Sequence, residues 1–168
     1  MRSDSPKKMT HQKLPVTAAI RKLKAESITF SLHPYAYEEK GGTATASMAL
    51  GVAEYAVIKT LVMEEDCRKP FIILMHGDKQ VSAKALARQM GVKTVQPCTP
   101  QKAEKMTGYT VGGISPFGTR QLLPVYMEAS IENLPEIYIN AGKRGLLLCL
   151  TPRDMIRSLH PVLVTVAI

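Results

Sequence analysis

Hydrophobic and polar positions alternate along this chain in short, well-punctuated blocks. Val16, Ala19, Ile20 and Leu23 recur at helical spacing and predict an amphipathic helix. Ile28 to Leu32 (ITFSL) then reads as a strand ending at His33-Pro34, because the residue before a proline is biased towards extended backbone. The glycine-led stretch GGTATASMALGVAEYAVI predicts a helix over part of its length. Lys59–Met63 (KTLVM) and Phe71–Met75 (FIILM) predict neighbouring strands, the second closed by the turn pair Gly77-Asp78. Ser82 is placed to cap a helix over Ala83–Met90 ending at Gly91, and Thr99-Pro100 opens another that ends at Gly108. Further strands are expected at Leu122–Met127, Ile137–Ile139 and Leu146–Leu150, and Thr151-Pro152 opens a terminal helix running to about His160. Helices interspersed among clustered strands predict a single α/β domain whose mixed, barrel-like sheet is flanked by helices.

At 168 residues, 45% hydrophobic and 21% charged, the chain has the composition of one globular domain with a full core. The net charge of +8 is concentrated at the start. Residues 1–24 hold Arg2, Lys7, Lys8, Lys13, Arg21, Lys22 and Lys24 against Asp4, seven cations less one acid, or +6. Residues 1–14 are therefore expected to form a loose basic arm suited to a phosphate backbone, or a solvated tail, with the domain occupying 15–168. Cys67, Cys98 and Cys149 are odd in number and widely spaced, which argues against a disulfide frame or a zinc site and suggests a reducing cytoplasm. His11, His33, His76 and His160 are too scattered to predict a metal ligand pair. No signal-like or membrane-spanning apolar run is evident.

Candidate chemistry concentrates in Thr107–Gly118, TGYTVGGISPFG, which holds four of the eleven glycines. A glycine turn can aim adjacent N–H groups at one oxygen, so the amides of Gly112, Gly113 and Ile114 are candidate oxyanion donors. Ser115 lacks the surroundings of a nucleophile elbow and is expected to bond backbone or ligand. Lys59 sits among seven uncharged neighbours in AVIKTLVM, where it either meets an anion in a cleft or extends its head to water along a strand edge. Lys143 and Arg144, between Gly142 and Gly145, either hold phosphate or form a solvated hairpin tip. Tyr35 and Tyr109 are candidates to line a pocket or to pack in the core. The chain has neither GxGxxG nor a Walker loop, which disfavours nucleoside triphosphate chemistry.

Taken together, TGYTVGGISPFG, GKRG at 142–145 and IKTL at 58–61 resemble, in order and spacing, the YbaK/EbsC group of aminoacyl-tRNA deacylases. These are cysteinyl-tRNA(Pro) deacylases related to the editing domain of bacterial prolyl-tRNA synthetases, and the likeness runs from about Val16 to His160. The resemblance implies hydrolysis of the ester joining an amino acid to the tRNA 3′ adenosine, with no cofactor and no metal. It places an essential lysine at Lys59 with Thr60 beside it, a pocket tyrosine at Tyr35 and the glycine loop at Gly112 and Gly113. The expected partners are the tRNA acceptor end and, as a candidate, prolyl-tRNA synthetase. It also implies that a cysteinyl substrate's own thiol attacks its ester, the protein supplying position and electrostatics.

The chain departs from the family pattern SGGKRGLD by carrying Asn140 for a serine and Leu147 for a carboxylate. These changes bear on the choice of amino acid and make alanyl-tRNA(Pro) a competing substrate. A non-catalytic module gripping tRNA ends or a synthetase, and a hydrolase of small acyl esters, are the alternative readings.

Overall fold

Four helices begin where side-chain caps dictate, the first at Thr17 and three more further along the chain. In the computed structural model, which describes residues 14–168, Ser82, Thr99 and Thr151 each accept a hydrogen bond from the third residue onward. They open α3 (Ala83–Met90), α4 (Pro100–Thr107) and α5 (Pro152–Leu159), each cap worth about 1 kcal/mol. The basic arm expected over residues 1–14 lies, except for Leu14, outside the described residues. The first helix, α1 (Ala18–Ala25), buries Ala19, Ile20 and Leu23 as the periodicity requires. Val16 does not join that face: Thr17 is the cap, and Val16 lies before it and is exposed. Gly41, Gly51 and the small residues between them bound α2 (Gly42–Leu50).

The strands form one mixed sheet. β1 (Ser31–Pro34), β2 (Val57–Glu65), β3 (Pro70–His76), β4 (Val95–Pro97), β5 (Val125–Glu128), β6 (Ile137–Lys143), β7 (Leu146–Leu150) and β8 (Val162–Val164) run in the order β1-β7-β6-β2-β3-β5-β8, with β4 paired to β2. β1 starts three residues later than expected, because the Ile28 N–H closes the end of α1 on the Leu23 carbonyl. It then continues through His33-Pro34, which the terminal position of β1 permits: Pro34 needs no donor on its open side. Leu122, expected in a strand, is fully exposed, and β5 begins only at Val125.

The central hairpin of β2 and β3 divides the interior by its period of two. Ile58, Val62, Ile72 and Leu74 join the larger core, with α1 and the β6–β7 hairpin. Met63, Phe71, Ile73 and Met75 join a second cluster, with Leu86 and Ala87 of α3. One edge of β2 is shared between two partners. Val57 and Ile58 pair in parallel with Tyr138 and Ile139 of β6, whereas Met63, Glu64 and Glu65 pair antiparallel with β4. Between them, Lys59, Thr60 and Leu61 have a ladder partner only in β3. The sheet splays at that gap, and the candidate site opens there.

Candidate active site

The cleft at the splayed edge has a volume of about 460 Å³. Lys59, Thr60 and Leu61 of β2 form one wall, the Val111–Gly112 turn and Ile114 another, and Tyr35, Arg144 and Leu147 a third. Lys59 is half-buried, and its ammonium donates to the Lys79 carbonyl. Burial pushes its pKa below the ordinary lysine value, and the Glu54 and Asp78 carboxylates partly offset that. Such an ammonium has lost part of its water shell, so an anion entering the cleft would be held more strongly than at the open surface.

The glycine loop is fastened to the β6–β7 hairpin. Asn140 Nδ2 donates to the Gly112 carbonyl at 3.1 Å, and Arg144 Nε donates to the Val111 carbonyl at 2.8 Å. Asn140 Oδ1 accepts from the Gly142 and Lys143 amides, shaping the bulge that interrupts the hairpin register. Gly112 adopts φ +91°, and a Cβ there would meet the Tyr37 hydroxyl at 2.5 Å. Gly113 needs its missing side chain for another reason: its φ is not in the left-handed region, but a Cβ would lie 2.8 Å from the Arg144 amide nitrogen. The Arg144 guanidinium lies 5.2 Å from the Tyr37 ring centroid, a cation–π contact that closes the loop, hairpin and tyrosine into one wall.

Several expected site residues serve this scaffold instead. Gly113 donates its N–H to the Thr110 carbonyl at 2.8 Å, so that amide is committed to the turn and is not an oxyanion donor. The Gly112 and Ile114 amides have no partner among the described residues. Ser115 is fully buried, its hydroxyl accepting from the Phe117 amide, and it lines no part of the cleft. Gly142 packs against the ring of Tyr109, which is itself a core residue donating to the Phe117 carbonyl. Lys143 is exposed and outside the lining, so the GKRG segment is a clamp on the glycine loop with only Arg144 reaching the cleft.

The structure adds Tyr37, Glu38, Glu39 and Thr43 to the lining. Tyr35 and Tyr37 stand two apart beyond β1, the spacing that puts alternate side chains on one side of extended backbone, and this was the available signal. Burial and the neighbouring Tyr37 raise the pKa of Tyr35. Thr43 Oγ1 bonds Glu54 and the Gly77 carbonyl, and Thr45 Oγ1 bonds Glu38. No serine, cysteine or histidine among the described residues lines the cleft. Among the described residues no group of three His, Cys, Asp or Glu could hold a metal, and no helix is long and apolar enough to cross a membrane.

Residues 38–158 match the family model of the aminoacyl-tRNA editing domain. EbsC of Enterococcus faecalis, a candidate Cys-tRNA(Pro)/Cys-tRNA(Cys) deacylase, is 29% identical over 151 residues, covering 89% of this chain and 90% of EbsC. A proline–tRNA ligase of Streptococcus equi is 27% identical over 96 residues, 57% of this chain but only 15% of the ligase. Among solved structures, hypothetical protein APE2540 superposes with a TM-score of 0.83 at 22% identity, covering 90% of this chain and all of that one, and so shares the fold. The matched span includes β2 with Lys59, the glycine loop and the clamping hairpin, and the chain belongs to the aminoacyl-tRNA editing domain family.

Proposed function

We propose that this protein hydrolyses the ester of mischarged aminoacyl-tRNA in trans, with cysteinyl-tRNA(Pro) as its first substrate and alanyl-tRNA(Pro) as a measurable competitor. The observation that carries the reading is the half-buried Lys59 on the unpaired edge of β2, in a cleft lined, among the described residues, by no serine, cysteine or histidine nucleophile. A site of this kind acts by position and electrostatics. Lys59 holds the phosphate or ribose oxygens of the tRNA end, and the Gly112 and Ile114 amides are the available donors to the ester oxygen. With a cysteinyl substrate the thiol sulfur attacks the ester carbon, the bond to the 3′ oxygen breaks as that oxygen takes up the thiol proton, and water then opens the cyclic thioester to free cysteine; with an alanyl substrate a water attacks the ester carbon directly. Glu38 and Glu39 give the substrate ammonium a counter-charge.

Leu147, packed with Ala46 and Val57 and accompanied by Tyr35, makes the amino-acid side of the cleft apolar. Asn140 also lines the cleft, and its three hydrogen bonds to backbone hold the glycine loop and the hairpin bulge beside the substrate. The basic residues 1–14 meet the acceptor stem, residues 15–168 carry the chemistry, and prolyl-tRNA synthetase supplies the mischarged product in the cytoplasm. The test is a panel of mischarged tRNAs scored for release of the amino acid. Turnover of cysteinyl-tRNA(Pro) above the others is expected; binding without turnover supports a gripping module, and equal hydrolysis of free aminoacyl esters supports a small-ester hydrolase.

A further inference from the structure

A lysine carries its charge on a flexible stem, so the ladder that fixes the Lys59 backbone against Met75 of β3 leaves the position of its ammonium open. That position is set by what the ammonium meets. It donates to the Lys79 carbonyl, and its counter-charges are the Glu54 and Asp78 carboxylates. These three groups belong to two separate segments: the short 3-10 turn Glu54–Ala56 before β2, and residues 77–79 after β3.

His76, the last residue of β3, joins the two segments. It is fully buried and lies outside the cleft lining. Its Nδ1 is 2.8 Å from the Tyr55 carbonyl oxygen, which can only accept, so Nδ1 carries a proton and donates. Its Nε2 is 2.7 Å from the Ser130 hydroxyl, and the Tyr55 ring stacks on the imidazole with centroids 3.6 Å apart. The His76 carbonyl in turn accepts from the Lys79 amide at 3.2 Å, closing the turn that presents the Lys79 carbonyl to Lys59. A second tie runs beside it: Thr43 Oγ1 lies 2.8 Å from Glu54 Oε1 and 3.1 Å from the Gly77 carbonyl oxygen.

We infer that His76 is a positioning residue for Lys59: by donating to the Tyr55 carbonyl it locks Glu54–Ala56 against residues 77–79, and so holds the three groups that receive the ammonium in one place. Resting on the deacylase reading, this keeps a charged Lys59 at the cleft before substrate arrives. An apolar residue at this position would fill the space but leave the segments tied only through Thr43. Burial lowers the Lys59 pKa while the Glu54 and Asp78 carboxylates work against it, so loosening either segment leaves the cost of burial less opposed. The other charges of the lining, Glu38, Glu39, Lys40 and Arg144, come from the return after β1 and from the β6–β7 hairpin, to which the His76 ring makes no hydrogen bond.

The test is the pKa of the Lys59 ammonium, followed by NMR in the full chain labelled with 13C-lysine and assigned by the signal lost in Lys59→Arg. It is read over the pH range in which circular dichroism shows the fold intact. Asn places its Nδ2 where His carries Nδ1, and Gln places its Nε2 where His carries Nε2. His76→Asn therefore keeps the bond to Tyr55, and His76→Gln keeps only the one to Ser130. His76→Gln should lower the Lys59 pKa by about one pH unit, whereas His76→Asn should leave it within about a third of that. An unchanged or raised value in folded His76→Gln overturns the inference, as does an equal fall in both variants, the result expected of a histidine that only fills the core. Thr43→Val, which removes the hydroxyl of the second tie at constant shape, should also lower the value. It decides the matter if neither His76 variant folds, and an unchanged Lys59 then overturns the inference. The readout needs no turnover: if Lys59 responds as expected but the unmutated chain deacylates no tRNA, the deacylase reading fails while this role of His76 stands.

Discussion

Lys59, Gly113 and Leu147 each have a position that decides what a substitution should do. Lys59 was legible in the sequence because an ammonium among uncharged residues costs free energy unless it reaches a cleft, and the unpaired stretch of β2 is that cleft. Tyr37 had only its two-residue spacing from Tyr35 to mark it, and Glu38 and Glu39 had no signal, since only the return of the chain from β1 to α2 brings them into the lining of the cleft. Gly113 was identified, but its expected role as a donor is excluded by its bond to Thr110. Gly113→Val should still cut deacylation by more than tenfold, because a side chain there drives the loop off the Arg144 backbone. Normal turnover in the folded variant would mean that this packing does not position the loop. Leu147→Asp should raise the preference for cysteine over alanine, read as the ratio of the two kcat/KM values. The limit is set by the about 1 to 3 kcal/mol that a small change in an apolar pocket is worth. An unchanged ratio would show that Leu147 does not face the amino acid.

Among the elements, those with local signals were readable, and those made by pairing were not. Ser82, Thr99 and Thr151 announce their helices through side-chain caps, and Gly91 and Gly108 end α3 and α4 in the left-handed region. β4 and β8, three residues each, carry no pattern of their own; they exist because β2 and β5 offer open edges. The end of the chain is held by Glu128, a buried carboxylate that accepts from the Val166 and Ala167 amides at 2.8 and 3.1 Å. Glu128→Ala leaves both N–H groups without their acceptor and should cost about 1 to 3 kcal/mol, read as a lower urea midpoint with unchanged slope. A midpoint equal to that of the unmutated protein would show that the bonds of the C-terminal segment to Gln80, Ser82 and Gln89 hold it without Glu128.

For the molecule as a whole, stability should decline on the alkaline side. Burial, reinforced by the Glu136 carboxylate, pushes the Cys149 thiol from 9.0 up to about 11, and burial pushes Tyr109 from 10.0 up to about 12. Both groups hold their protons more tightly when folded. Their contribution is therefore complete below the unfolded values and is lost as pH rises through the folded ones. The melting temperature should fall progressively above about pH 9, and Cys149→Ala should flatten the first part of that fall; a constant Tm up to pH 11 would contradict it.

The fold joins a β2 edge, a glycine loop and a clamping hairpin around the Lys59 ammonium, the group expected to act on the charged tRNA. The direct measurement is the single-turnover rate of cysteinyl-tRNA(Pro) deacylation by the unmutated chain and by Lys59→Ala, with circular dichroism confirming that both are folded. Loss of a charged contact in a partly desolvated site predicts a fall of about 30- to 1000-fold, or on the order of 2 to 4 kcal/mol. Equal rates for the two proteins, or no deacylation by the unmutated chain, would contradict the assignment of this cleft as the active site.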